Sequence, residues 1–339
     1  MSRFITGATR NAFQRRVVCA AALLAATLFA GAANQVYGQD DADVITVSHS
    51  QGETVVARNP ETVLTFDLAT LSTLDVLGIE VAGVPETGLP ESLAHYSDTP
   101  KIGSLFEPDY EAVNAADPDL VIVAGRSAAV YPQLAEMAPT IDLTVSADDF
   151  LAGQKRNAEI IGQIFGMEEQ VEALWADIEA KIEAVRARAA EAGTAMIVMT
   201  SGGEVTAYGS GSRFGWIHDE LGFTPVIEDI QEATHGEAIS FEFILEANPD
   251  WLIVIDRDAA IGQQAEAAAQ ILDNELVAQT TAWSSGQVIY LDSANWYLVS
   301  GGLGTLDDMI ADIAIPLGVD IESAPEPEAT AEPAAESGE

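Results

Sequence analysis

Helical patterns that run into a proline turn and then into a short, wholly apolar stretch recur along this chain. The clearest instances are residues 110–126, YEAVNAADPDLVIVAGR, and residues 241–257, FEFILEANPDWLIVIDR, which share one register from end to end. In each, the proline after Asp117 or Asn248 stops the preceding helix. The run that follows (LVIVA, WLIVI) is short, rich in β-branched side chains and apolar on both faces, which predicts a parallel strand covered by helices on both sides. Each unit ends in a cation, Arg126 or Arg257, eight residues beyond its proline. Ligands of open α/β sheets bind beyond the carboxyl ends of the strands. Two such lobes facing each other would present both guanidinium groups to one anion.

The same grammar fills the rest of the chain. Residues 44–57 predict a hairpin, 62–66 a strand, and Leu68, Leu71, Leu74, Val76 and Leu77 a helix that ends at Gly78. Strands at 80–84 and 140–144 and helices near 130–137 and 149–165 complete a first lobe, residues 44–166. From Glu168 to Ala192 the chain has neither proline nor glycine, and Val171, Leu174, Trp175, Ile178, Ile182 and Val185 fall at helical spacing. This predicts one long amphipathic helix within a connecting segment, 167–193. A second lobe, 194–316, then repeats the pattern. It has strands at 195–200, 204–208, 251–255 and 287–291, and helices at 214–221, 241–247 and 303–314. A Gly-Ser-Gly-Ser loop carries Arg213, loop 228–239 carries His235, and a loop from Ser293 carries Trp296 and Tyr297. The fold class is α/β, with two Rossmann-like lobes joined by a single long α-helix.

Charge and the two ends of the chain refine this picture. The formal net charge is −40, and the first 38 residues hold four arginines and no acid, which leaves 10 basic against 54 acidic residues in the remainder. Nucleic acid and anionic membrane surfaces are poor partners for such a chain. The acidity itself fits solubility or a salty medium. Arg3, Arg10, Arg15 and Arg16 precede the apolar stretch VVCAAALLAATLFAGAA, which reads as a secretory signal peptide over residues 1–38 and places the mature protein in the periplasm. The only cysteine, Cys19, lies inside that segment, so the mature chain has no disulfide and no thiolate metal site. Residues 322–339 are dominated by Pro, Ala and Glu and predict a disordered acidic tail. Arg126, Arg213 and Arg257 stand in loops beside strands, while Lys155, Arg156, Lys181, Arg186 and Arg188 lie on helices. Any single loop arginine could pair with a nearby carboxylate, but three at analogous strand ends favour an anion site.

RNPETVLTFDLATLSTLDVLGIEVAGVPE, KIGSLFEPDYEAVNAADPDLVIVAGR, GSGSRFGWIHDELGF, THGEAISFEFI, NPDWLIVIDR and LDSANWYLVSGG span nearly all of residues 55–315. Together they make the chain resemble a class III periplasmic substrate-binding protein of an ABC importer for ferric siderophores, in the group that takes catecholate and petrobactin-type ligands. The resemblance implies a monomer that captures a ferric catecholate siderophore between the lobes and delivers it to an inner-membrane ABC permease. No intrinsic cofactor is implied, because the Fe(III)-siderophore is the cargo. It implies that Arg126, Arg213 and Arg257 meet the negative charge of the ligand, for which a permanently ionised planar fork is suited. It also implies that His235 and Tyr297 complete the coordination of iron when the siderophore supplies too few oxygens. Each has a bland rival, His235 as an exposed loop residue and Tyr297 as a ring packed at a strand end with Trp296 the more exposed. Phe106, Tyr131 and Trp216 stand near the predicted cleft and are candidates to stack on a catechol ring, with core packing the rival for Trp216.

Two alternatives remain open at this level. The same fold could bind haem or cobalamin, whose negative charge is less concentrated. An enzyme would need a constellation that is missing: Gly209-Ser210-Gly211-Ser212 lacks the phosphate-loop pattern, no serine sits in a nucleophile elbow, and Asp256 has no evident catalytic partner.

Overall fold

The computed structural model describes residues 43–228, 230 and 236–321. The signal-peptide segment 1–38, the acidic tail 322–339 and His235 lie outside the described residues.

Two sheets organise the chain. After an antiparallel hairpin, β1 (Val44–His49) with β2 (Gly52–Ala57), the first sheet is parallel with the order β3 (Val63–Thr65), β4 (Leu120–Val123), β5 (Thr140–Asp142). Every residue of these three strands is buried, the run of β4 as its two-sided apolar sequence requires and Thr65, Thr140 and Asp142 as buried polar positions. The second sheet is built around β6 (Thr194–Ser201), which pairs antiparallel with β7 (Glu204–Tyr208) and parallel with both β8 (Thr224–Pro225) and β10 (Trp251–Asp256). β9 (Glu237–Ile239) extends the β7 edge and β11 (Val288–Tyr290) the β10 edge.

The repeated motif folds the same way twice. Helices Tyr110–Ala116 and Phe241–Ala247 start on capping side chains, Asp109 and Ser240, and end on Asp117 (φ 50°) and Asn248 (φ 46°) in the left-handed region. Asp and Asn are the non-glycine residues that tolerate that conformation. The acid after each proline then fastens the start of the adjoining segment. Asp119 Oδ2 accepts from the amides of Glu61 and Thr62 at 3.1 and 2.8 Å, and Asp250 Oδ2 accepts from the Thr194 amide at 2.8 Å. A local sequence repeat thereby sets the register of two neighbouring parallel strands, β3 beside β4 and β6 beside β10.

The helix Glu168–Ala189 carries the chain from the first sheet to the second. It has 22 residues and buries Val171, Trp175, Ile178, Ile182, Val185 and Ala189 along one face. That face packs on helices Phe150–Phe165 and Leu303–Leu317. A second, non-covalent junction joins the lobes. The amino end of helix Leu303–Leu317 has no capping side chain of its own. Its amides are received by the other lobe: Gly302 N–H donates to Gln154 Oε1 (3.0 Å), Leu303 N–H to Thr73 Oγ1 (3.1 Å) and Thr305 N–H to Ser72 Oγ (2.8 Å). Gly302 sits at φ 80°, and a Cβ there would collide with the Ala69 carbonyl oxygen, so only glycine permits this approach. Four amide groups at a helix start need partners, and here the opposite lobe supplies them for Leu303 and Thr305 as well as for the preceding Gly302. The lobes are therefore locked more firmly than a single connecting helix would achieve.

Several local features differ from the sequence reading. The 80–84 segment makes only isolated bridges, Leu64 to Gly83 and Val84 to Lys101, and a Cβ at Gly83 would collide with Ile102 and Leu64. Residues 294–299, read as loop, form a π-helical turn closed by the Ser300 amide on the Asn295 carbonyl at 2.8 Å. The expected helix at 214–221 is reduced to Trp216–Asp219, and residues 237–239 of the 228–239 loop form β9.

Candidate functional site

The three parallel strands of the first lobe end in the three segments that wall a cavity of about 590 Å³: Asp67 after β3, Gly125 and Arg126 after β4, and Leu143 to Ala147 after β5. The helix Phe150–Phe165 adds Phe150, Gln154 and Asn157, and the second lobe adds Arg213, Tyr297, Val299 and Ser300. Phe106 stands at the cavity on an exposed loop, 60% accessible.

Tyr297 is the centre of the polar end. Its carbonyl oxygen accepts from Arg126 Nη2 at 2.6 Å and from Arg213 Nη2 at 2.9 Å, while its hydroxyl oxygen accepts from Arg257 Nε at 2.9 Å. Arg126 Nη1 also donates to the Leu298 carbonyl at 2.9 Å, so this arginine ties the first lobe to the π-helical turn of the second. All three guanidinium groups lie near the Tyr297 ring, with Cζ to centroid distances of 4.6 Å for Arg213, 5.6 Å for Arg257 and 5.8 Å for Arg126. The π-helical turn is what brings the carbonyls and the phenol of adjacent residues to one point; such turns concentrate at functional sites.

The electrostatics of this cluster are unusual for so acidic a chain. Among the described residues Arg126 and Arg213 have no carboxylate within 4.0 Å, and Arg257 has only Asp258 at 3.8 Å. Burial, followed by repulsion from Arg126, lowers the pKa of the Arg213 guanidinium. Its Nε is buried without a hydrogen-bond partner. Like cations held together without counterions store a repulsion that an entering anion would relieve. Asp67 lines the cavity after β3, beside the strand that carries Arg126, and burial raises its carboxyl pKa while the Arg126 charge acts to lower it.

The sequence-derived residues are distributed as follows. Arg126, Arg213, Tyr297 and Phe106 line the cavity, and Arg257 reaches it through the Tyr297 hydroxyl. Trp216 does not reach it. It is 2% exposed and stacks between Phe150 at 5.0 Å and Trp296 at 5.1 Å, so it supports the wall from behind. Trp296, expected as the more exposed of its pair, is fully buried and donates Nε1 to Asp312. Tyr131 is likewise off the lining and packs against the His49 ring at 5.4 Å. The cavity residues that the sequence reading missed include Asp67, Thr70, Gln154 and Asn157. Asp67 directly follows the TVLTF strand run, so the strand-end rule that singled out Arg126 would have found it.

Comparison with known proteins places this geometry. A family model described as "Periplasmic binding protein" matches residues 63–294. The petrobactin-binding protein YclQ of Bacillus subtilis is 38% identical over 303 residues, covering 86% of this chain and 95% of its own. The ferric-anguibactin-binding protein FatB of Vibrio anguillarum is 34% identical, covering 79% of this chain and 86% of its own. The crystal structure of YclQ superposes with a TM-score of 0.79, covering 82% of this chain and 99% of that one. That of the periplasmic catecholate-siderophore binding protein VctP from Vibrio cholerae, 33% identical, gives 0.76 over 80% of this chain and 99% of that one. The two α/β lobes and the long helix between them are the class III arrangement of such proteins. With that architecture and a family match over most of its length, the chain belongs to the periplasmic binding protein family.

Proposed function

We propose that this protein is the substrate-binding component of an ABC importer, and that it captures a ferric siderophore of the catecholate type in the cavity between its lobes for delivery to an inner-membrane permease. The observation that carries this reading is the pair of cavity arginines, Arg126 and Arg213, without a carboxylate partner among the described residues of a chain with a net charge of −40. Arg58, Arg156 and Arg186 each have a carboxylate within 4.0 Å, whereas Arg126 and Arg213, gathered with Arg257 around one tyrosine, form a receptor for concentrated negative charge. A ferric tris-catecholate carries three negative charges on a compact oxygen surface, which suits charge-assisted bonds from several guanidinium forks. The relatives named for petrobactin, ferric anguibactin and catecholate siderophores support the same ligand class.

In this reading Tyr297 and His235 complete the coordination of iron when the siderophore is tetradentate, since phenolate and imidazole are both competent ligands for ferric iron. The firm junction between helix Leu303–Leu317 and the first lobe favours a preorganised cleft that closes by a small rotation. The chain is secreted and acts as a monomer. The test is a titration of intrinsic tryptophan fluorescence with ferric bis-catecholate, ferric tris-catecholate, haem and cobalamin. Trp216 and Trp296 lie behind the cavity wall at Phe150, close enough to report occupancy. Submicromolar quenching by the catecholates, and none by haem or cobalamin, is expected. Haem or cobalamin binding without catecholate binding would overturn the ligand.

A further inference from the structure

The cavity has a second polar wall, of opposite character to the arginines. Asp67 caps the helix Leu68–Val76 through one carboxylate oxygen only: Oδ2 accepts from the Thr70 amide at 2.7 Å and from the Thr70 hydroxyl at 2.8 Å. Its Oδ1 has no hydrogen-bond partner among the described residues. Nearby on the lining, Asn157 donates Nδ2 to the Leu143 carbonyl at 2.7 Å, which leaves its Oδ1 as a second acceptor without a partner among the described residues. Arg126 does not neutralise Asp67 by contact, because its Nη1 and Nη2 are engaged by the Leu298 and Tyr297 carbonyls and no ion pair forms within 4.0 Å. Three other polar side chains of the lining are already engaged. Thr70 bonds Asp67, Thr73 serves the Leu303 amide, and Gln154 bridges Ser300 and Gly302.

An anion receptor with an unneutralised carboxylate in the same cavity would repel its own ligand unless the ligand brings a complementary donor to that wall. A purely anionic ligand has nothing to offer two free acceptor oxygens. A siderophore scaffold with an ammonium or amide N–H does, while its iron-bound catecholates lie toward the arginines.

We infer that Asp67, assisted by Asn157, is a specificity-determining residue that accepts a hydrogen bond from a protonated amine of the siderophore scaffold, so that the cavity selects ferric catecholates carried on an amine-bearing linker. This inference rests on the catecholate reading and deepens it. Burial raises the Asp67 carboxyl pKa even though the Arg126 charge and the Thr70 bonds act to lower it, and a ligand ammonium at its free oxygen would add a further cation that favours the carboxylate. Asparagine at position 67 would keep the helix cap, as Asn is as good an N-cap as Asp, and would replace the free carboxylate oxygen by an amide NH2, removing both the charge and the acceptor.

The experiment compares two ferric bis-catecholates that differ at one atom of the linker, a secondary amine in one and an ether oxygen in the other. Both are titrated into the full wild-type chain and into Asp67→Asn at neutral pH, with thermal melts to establish that both proteins are folded. Wild type is expected to prefer the amine ligand by about 10- to 100-fold, the range of one charge-assisted hydrogen bond. In Asp67→Asn the two affinities should converge, the amine complex weakening and the ether complex tightening as a like charge is removed. A wild-type preference below about 2-fold, or one that persists in Asp67→Asn, would overturn the role of Asp67. Failure of wild type to bind either complex would instead overturn the catecholate reading beneath it.

Discussion

Removing the Arg213 side chain separates a binding role from a structural one. Among the described residues this guanidinium makes one hydrogen bond, to the Tyr297 carbonyl, and leaves a buried Nε without a partner. Burial and the nearby Arg126 both disfavour its charge. In Arg213→Ala the Tyr297 carbonyl still accepts from Arg126 at 2.6 Å, so the lost bond is offset by relief of that repulsion and of the orphan donor. Stability should therefore change by no more than about 1.5 kcal/mol. Binding should change far more. Two unit charges about 6 Å apart at an effective dielectric of ~20 interact by about 3 kcal/mol. Truncating one partner of a desolvated charge pair costs on the order of 2–4 kcal/mol. The expected loss for a ferric tris-catecholate is about 30- to 1,000-fold in Kd. The assay is fluorescence titration at two ionic strengths beside urea denaturation. Arg156→Ala serves as the control, since its charge sits in an exposed pair with Asp149. A loss under 3-fold for Arg213→Ala, or an equal loss for Arg156→Ala, would refute the electrostatic reasoning.

Other expectations follow from the same contacts. Tyr297→Phe removes the oxygen that accepts from Arg257; the absorption band of a bound ferric bis-catecholate should shift relative to wild type, whereas an unchanged band would remove Tyr297 from the iron. Asp250→Ala loses the bonds from the Thr194 amide and hydroxyl at 2.8 and 3.0 Å and should cost about 2–3 kcal/mol in urea unfolding. Gly302→Ala forces a side chain onto the Ala69 carbonyl at a left-handed φ of 80° and should destabilise by more than about 2 kcal/mol, measured the same way. Burial, with Asp292 and Asp308 adding to it, raises the Asp312 carboxyl pKa. Its stabilising contribution is thus complete below the unfolded carboxyl pKa and lost as pH rises through the elevated folded value. Asn at 312 can accept both of its bonds with one oxygen. Asp312→Asn should therefore gain stability relative to wild type as pH climbs from about 4 toward neutrality, followed by melting temperature against pH.

What was legible in the sequence was what short stretches decide by themselves. The proline turns after Asp117 and Asn248 and the buried runs of β4 and β10 need no distant partner, and they place Arg126 and Arg257 at strand ends. The long helix was legible for the same reason, as its buried face recurs at helical spacing over 22 residues. The π-helical turn at 294–299 was not, because its register is set by packing: Trp296 turns inward onto Trp216 while Tyr297 turns toward the arginines. Nor was the capping of Leu303 and Thr305 by Thr73 and Ser72, groups more than two hundred residues apart. Asp67 was missed, and its free oxygen in the cavity depends on which of its atoms Thr70 engages.

Anomalous diffraction at the iron edge, from crystals of the chain grown with a ferric catecholate, tests the central claim most directly. The expected result is a single iron peak inside the cavity bounded by Asp67, Phe106, Arg126, Arg213 and Tyr297, with catecholate oxygens within hydrogen-bonding distance of at least two of the three guanidinium groups. Iron located elsewhere on the protein, or a cavity occupied by a ligand that leaves Arg126, Arg213 and Arg257 on the Tyr297 carbonyl and hydroxyl as they now stand, would contradict it.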